Sequence, residues 1–517
     1  MTSRRPTAVF ALLALSLAVP LRAEAPAADP LAGWDAVVEK ALADWRVPGL
    51  AVAVVRGDAT LLVKGYGLRD RERRLPVTER TLFPVGSATK GFTTFVMGTL
   101  AEEGRLDWNA PVSRYLPGFR MKDPFASERM TPTDLVTHRS GLPRHDALWY
   151  NATLSRAELV ERLRWLEPSK DFRTDFQYSN LMFVAAGLLV ERVTGTSWEE
   201  AVRARVFAPL GMTSSGFSGA DPRKAPDLAL PYEDRDGEVV RTAFRNVAAA
   251  GPALSIDSTA ADLVPWLKLH ANGGSVDGRR IARPETVANL HLPRMETGAL
   301  QTEAGIVPGG YALGWFTDVY RGTRRVYHGA DIDGFTALVL LLPERRIGMA
   351  FLANLGGSPL PGLLARHLAD RLLGLPPREW SAERLAERDR MRESARPAPW
   401  PEAGARKAGT KPAHPLEAYA GEYENRGYGV LKVARAGDGL AMTYNGITTP
   451  MEHWQDETFR GVGRRRGDAD DTFENFRISF LTDATGAVSG LSAPMEPAVA
   501  DIVFVRRPAE PPAARPK

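Results

Sequence analysis

The spacing of apolar positions changes several times along the chain, and each change predicts an element. Residues 50–67, "LAVAVVRGDATLLVKGYG", hold two apolar runs joined at Gly57-Asp58, which predicts a β-hairpin. From Ser87 the period lengthens. Phe92, Phe95, Val96 and Leu100 recur at helical spacing, and Gly104 stands where such a helix ends. Residues 181–195, "LMFVAAGLLVERVTG", are apolar on nearly every face, as in a buried helix. A third helical stretch covers residues 258–274, and residues 335–354 read as two strands around a polar turn at 343–346. Strands at both ends of a mainly helical middle predict an α/β (α+β) fold, an antiparallel sheet flanked by helices with an all-α subdomain.

After Leu375 the texture changes to charge, Pro and Ala, so residues 377–414 read as a linker with a short exposed helix over 381–394. From residue 415 to 507 short alternating runs separated by Gly and Asp predict a small antiparallel β-barrel. Residues 31–376 form the larger domain in this reading, and 508–517 a disordered tail. The barrel is open to three uses: carrying a ligand inside, capping a cleft, or dimerising.

Composition narrows the function. Residues 1–23 open with Arg4 and Arg5, followed by an apolar run over 8–19 and small residues around Ala23 and Ala25, the layout of a cleavable signal peptide. The apolar run is too short to span a membrane, so a secreted or periplasmic protein without stable membrane insertion is expected. Loss of that segment lowers the basic side chains from 66 to 63, against 62 acidic ones. The basic balance is therefore no sign of nucleic acid, and Arg464-Arg465-Arg466 reads as a solvated hairpin tip. There is no cysteine, which excludes disulfides, thiol catalysis and thiolate-bound metal. The eight histidines show no zinc-binding spacing, and no cofactor is implied.

The candidate chemistry starts at Ser87 and Lys90. Three residues apart on a helix, they share a face, and a lysine buried there is driven toward the neutral amine, which can take the serine proton or hold a tyrosinate that does. The helix start also offers the Ser87 N–H as half of an oxyanion hole. Alone, Ser-x-x-Lys has a plainer reading, a helix cap followed by a snorkelling lysine. Two further motifs weigh against it. "FQYSNLMF" sets Tyr178 and Asn180 at the start of the buried helix, where Tyr178 serves as a base only if nearby cations such as Lys90 lower its pKa far below 10. "YHGADIDGF" sets His328 at the end of a strand, before a glycine-rich turn.

In this order the three motifs resemble those of the penicillin-recognising serine hydrolases: class C β-lactamases, D,D-peptidases and aminopeptidases of peptidase S12 type, and related esterases. "LVTHRSGLP" (135–143), "FAPLGMTSSGF" (207–217), "AAGPALSIDSTAADL" (249–263) and "YALGW" (311–315) fit the same family, and the C-terminal part resembles a lipocalin-like barrel appended to some members. The resemblance implies an acyl-enzyme on Ser87, with Lys90 as proton partner, Tyr178 as general base and then acid, and Asn180 orienting substrate. It places His328 in the catalytic set where β-lactamases carry lysine, Gly329 and Ala330 along the substrate, and the second oxyanion N–H at Asp331. Histidine for lysine argues against strong β-lactamase activity, and Ala330 for glycine narrows the strand-to-substrate gap. The sequence reading is an exported serine hydrolase of a small ester or short peptide, with D-residues allowed. A weak β-lactamase or penicillin-binding carboxypeptidase is the nearest alternative, and a ligand-binding protein without turnover the more distant one.

Overall fold

A nine-stranded antiparallel sheet separates two helical layers in the larger domain. The computed structural model describes residues 29–217, 225–235, 237–298, 305–376, 378–394, 406–407, 409–463 and 472–508. The segment read as a signal peptide, the 464–466 tip, much of the expected linker and nearly all of the expected tail lie outside these residues. The strands are β1 (Gly49–Arg56), β2 (Ala59–Asp70), β3 (Leu75–Pro76), β4 (Met295–Glu296), β5 (Ile306–Tyr311), β6 (Phe316–Tyr320), β7 (Thr323–Ile332), β8 (Phe335–Leu342) and β9 (Ile347–Ala353). They run in the order β4-β5-β6-β7-β8-β9-β1-β2-β3, so the N-terminal hairpin joins the sheet beside its last strand. The helices that matter here are α1 (Trp34–Trp45), α2 (Thr89–Glu102), α3 (Asn180–Thr194), α4 (Ala260–Ala271) and α5 (Leu360–Leu373).

The apolar run of β1 is continuous because both its faces are covered. Leu50, Val52 and Val54 pack with Met349 and Phe351 in the core shared with α1 and α5. The alternate residues Ala51, Ala53 and Val55 enter the other core with Leu263 and Trp266 of α4. Small residues on that face let α4 approach closely: a Cβ on Gly348 would meet Leu267 Cβ at 2.9 Å.

Residues 421–506 form a closed barrel of eight strands that pair in chain order. Tyr423, Leu431, Met442, Tyr444, Phe480 and Phe504 are all buried, and such side chains fill the interior of an eight-stranded barrel. Large side chains thus take up much of the barrel interior, beside a pocket of about 580 Å³ that Leu440, Met451 and Phe459 line. Within the expected linker, the helix Trp380–Ser394 is anchored on the larger domain: Trp380 is buried and its Nε1–H donates to Asp370 Oδ2 at 2.8 Å. Among the described residues no helix is long and apolar enough to cross a membrane.

Candidate active site

Ser87 lies in a 3-10 turn, Gly86–Ala88, that leads into α2 at Thr89. Its side chain caps neither helix. As the second residue of the turn, its N–H is one of the donors that a helix start leaves without an internal acceptor. Gly86 has φ 49°, and a Cβ there would stand 2.9 Å from Ala330 Cβ on β7. A bare α-carbon at position 86 thus accommodates the methyl that Ala330 adds to the strand.

Lys90 is fully buried and does not snorkel. Its Nζ lies 2.8 Å from Asn180 Oδ1, 3.0 Å from the Ala253 carbonyl and 3.2 Å from Ser87 Oγ. Burial holds the amine well below its ordinary pKa, and the Arg144 guanidinium pushes it further the same way. Two of its three neighbours can only accept hydrogen bonds. An amine in its neutral form can spend both N–H groups on them and turn its lone pair to Ser87. The Ala253 carbonyl comes from the short helix Gly251–Leu254, within the "AAGPALS" stretch.

Tyr178 O–H donates to Ser87 Oγ at 2.9 Å, and Lys90 Nζ lies 4.7 Å from its ring centre. Burial raises its pKa, while the bond to Ser87 and the Arg144 charge oppose this less strongly. The condition under which Tyr178 would serve as a base, a pKa far below 10, is opposed here because burial outweighs the nearby charges. Tyr178 is held from behind by His138, whose carbonyl accepts the Gln177 N–H at 2.6 Å and whose Nδ1 accepts the Ser179 N–H at 3.1 Å. The rings of His138 and Tyr178 are 4.2 Å apart.

Asn180 is 2% exposed and has no place on the cleft wall. Its Oδ1 is taken by Lys90, and its Nδ2 donates to Asp146 Oδ1 at 3.1 Å. The expected substrate-orienting amide is thus a brace for the lysine. His328 is buried as well. Its Nδ1–H donates to the Gly329 carbonyl at 2.7 Å, which leaves Nε2 to accept from Tyr311 O–H at 3.0 Å. Burial brings its pKa down to about 3. His328 thus lines the cleft beside Ser87 and Tyr178 with both ring nitrogens engaged.

A cleft of about 470 Å³ opens over Ser87, Tyr178 and His328, and Gly329, Ala330 and Asp331 form its strand side. The pairing of β7 with β6 ends at Tyr327, whereas its pairing with β8 continues to Ile332. Alternate N–H groups of residues 328–332 thus face the cleft side without a ladder partner. Arg144 also lines the cleft, its guanidinium 5.1 Å over the Tyr178 ring and its Nε 2.6 Å from Asp146 Oδ2. The sequence reading missed Arg144, Asp146, His138 and Tyr311, although the last two stand inside quoted motifs. Among the described residues no group of three His, Asp or Glu is placed to hold a metal.

Comparison with known proteins bears on this geometry. The family model described as Beta-lactamase matches residues 34–373, and a domain of unknown function matches residues 405–506. Unguisins hydrolase ungD' of Aspergillus campestris (strain IBT 28561) is 31% identical over 428 residues, 77% of this chain and 76% of that protein. The octameric penicillin-binding protein homologue from Pyrococcus abyssi superposes with a TM-score of 0.59 at 22% identity, covering 92% of this chain and 99% of that one. EstCE1, a hydrolase with promiscuous acyltransferase activity, gives 0.56 at 19% identity over 66% of this chain and 98% of its own.

Proposed function

The chain belongs to the beta-lactamase family of serine hydrolases, and from that premise we propose that it transfers the acyl group of a small ester or short peptide amide to Ser87 and then to water. The observation that carries the reading is the buried Lys90 amine, held between Asn180 Oδ1 and the Ala253 carbonyl with its Nζ 3.2 Å from Ser87 Oγ. As Ser87 Oγ bonds to the carbonyl carbon, its proton passes to Lys90 Nζ. The oxyanion meets the Ser87 N–H and, by the family pattern, the Asp331 N–H. When the C–O or C–N bond breaks, the Tyr178 O–H protonates the leaving group and Lys90 returns a proton to the phenolate. Water then attacks the acyl-enzyme by the same transfers in reverse. Lys90 is the base in this scheme, and Tyr178 enters as the acid.

The substrate reading follows from the charges on the cleft. A neutral His328 offers no cation for the carboxylate of a β-lactam, so penicillin turnover should be slow. Arg144 is a cation on the wall, its side chain 55% exposed, and it favours an acyl donor with a nearby carboxylate, such as a peptide C-terminus. That supports the carboxypeptidase alternative as a second reading. The proposal includes export, supported by the layout of residues 1–23; the mature protein should begin at Glu24 or Pro26.

Intact-mass spectrometry after exposure to a fluorophosphonate, a penicillin and a p-nitrophenyl ester tests the reading. A phosphonate adduct, fast ester turnover and the loss of both in Ser87→Ala are expected. A long-lived penicillin adduct would favour the carboxypeptidase reading. Turnover that survives Ser87→Ala would refute both, and labelling without turnover of any acyl donor would leave a binding protein.

A further inference from the structure

No described residue of the barrel lines the cleft, which speaks against its acting as a cap. Yet the barrel grips the loop 144–151 at the cleft's edge. Its hairpin tip Asn445-Gly446, with φ 46° and 75°, is a two-residue turn that presents the Asn445 amide outward. Asn445 Nδ2 donates to the carbonyls of Ala147 at 2.9 Å and Tyr150 at 3.1 Å, and the Asn445 carbonyl accepts from Asn151 Nδ2 at 2.8 Å. Glu496, itself buried, accepts the His145 N–H at 2.6 Å.

His145 is fully buried between the two domains. Its Nε2 meets the Glu167 carbonyl at 3.0 Å and must be the protonated nitrogen, so Nδ1 accepts from Tyr428 O–H at 2.6 Å. The ring is therefore fixed as one neutral tautomer with both nitrogens used. His145 also has φ 47°, a left-handed conformation that a non-glycine residue keeps only when its surroundings hold it. Its ring is buried against the barrel, whereas the side chains on either side of it serve the site. Arg144 lies over Tyr178. Asp146 accepts from Arg144, from Trp149 Nε1 at 2.7 Å and from Asn180, and Asn180 in turn holds Lys90.

We propose that the barrel is a working part of the active site: Tyr428, Asn445 and Glu496 fix the loop 144–151, and Asp146 on that loop positions Asn180 and so Lys90 against Ser87. Asp146 is a positioning residue, two hydrogen bonds from Lys90. The inference rests on the hydrolase reading, because it concerns how the lysine is held for proton transfer.

The test uses the full chain, with Tyr428→Phe and Asn445→Ala on the barrel and Asp146→Ala on the loop. Tyr428→Phe keeps the ring and its packing and removes only the hydroxyl. The p-nitrophenyl ester gives kcat and KM, and the fluorophosphonate gives the rate of Ser87 labelling. Each variant should lose kcat and labelling rate together by about 10- to 100-fold, the scale of a small misplacement of a catalytic group, with KM within about twofold. Asn445→Ala combined with Asp146→Ala should lose no more than Asp146→Ala alone, since both act through one path. Wild-type kcat in Tyr428→Phe and Asn445→Ala, or losses that multiply in the double variant, would overturn the inference while Ser87-dependent turnover stands. An unaltered chain without Ser87-dependent turnover would instead remove the hydrolase reading, and this inference with it.

Discussion

Replacing Lys90 with methionine separates the energetic role of this residue from its chemical one. The side chain is fully buried, and burial keeps the folded-state amine neutral well below its ordinary pKa. In the unfolded chain lysine is charged below about pH 10.4. As pH falls from there, the unfolded state holds one proton more than the native state, and stability drops by about 1.4 kcal/mol per unit. The loss stops only where the native amine itself becomes protonated. Methionine removes this dependence. It also leaves Asn180 Oδ1 and the Ala253 carbonyl without their donor, at about 1–3 kcal/mol each, independent of pH. Urea unfolding followed by tryptophan fluorescence should therefore show the wild type gaining on Lys90→Met by about 2 kcal/mol between pH 8 and 9.5. In the same variant ester turnover should fall by about 10²- to 10⁴-fold, the loss of a general base, or about 3–5 kcal/mol of barrier. Parallel stability curves over that interval would mean that Lys90 is charged in the native state, and its assignment as base would fall.

Tyr178→Phe should reduce kcat by about 10²-fold or more while Ser87 still accepts the phosphonate, because the phenol serves the leaving group; equal loss of labelling would place it earlier in the reaction. Gly86→Ala should cut phosphonate labelling of Ser87 sharply, since the new methyl meets Ala330 at 2.9 Å on backbone at φ 49°; unchanged labelling would show that the turn and β7 separate readily. Arg325→Leu should lower the unfolding free energy in urea by about 3–5 kcal/mol, because it strands Asp318, which Arg325 binds through two hydrogen bonds of 2.7 and 2.5 Å in the sheet. Adding Asp318→Leu should restore much of that, and no restoration would point to packing rather than charge.

The fold was legible wherever burial imposes a period. The hairpin at Gly57-Asp58, the buried α3 and the alternating barrel strands each write their environment into the spacing of apolar residues. The pair Ser87 and Lys90 was legible too, because helix geometry alone brings them together. What spacing does not carry is contact between distant segments. Asp146 reaches Asn180 across 34 residues and the barrel reaches His145 across about 300, and neither leaves a local pattern. Asn180 and His328 were placed correctly along the chain, but their partners were invisible. Only the partners reveal that the amide and the imidazole are already occupied. The direction of the Tyr178 shift was not legible for the same reason: it depends on how deeply the phenol is buried.

The two ends of the central sheet are strands of two residues, Leu75–Pro76 and Met295–Glu296. One carries a proline, which has no N–H to donate, and the other a carboxylate side chain. The barrel, being closed, has no end strand at all. Beside those two-residue strands the long strands β2 and β5 pair outward only at Leu68 and Asp70 and at Gly310 and Tyr311, so most of each outer edge has no ladder partner among the described residues. An extended peptide or a second copy finds a free ladder of N–H and C=O groups along those two edges, whereas the closed barrel offers none. A cysteine-free protein has no covalent cross-link to keep partly opened sheets together, so these two edges are where the central sheet is open to strand addition.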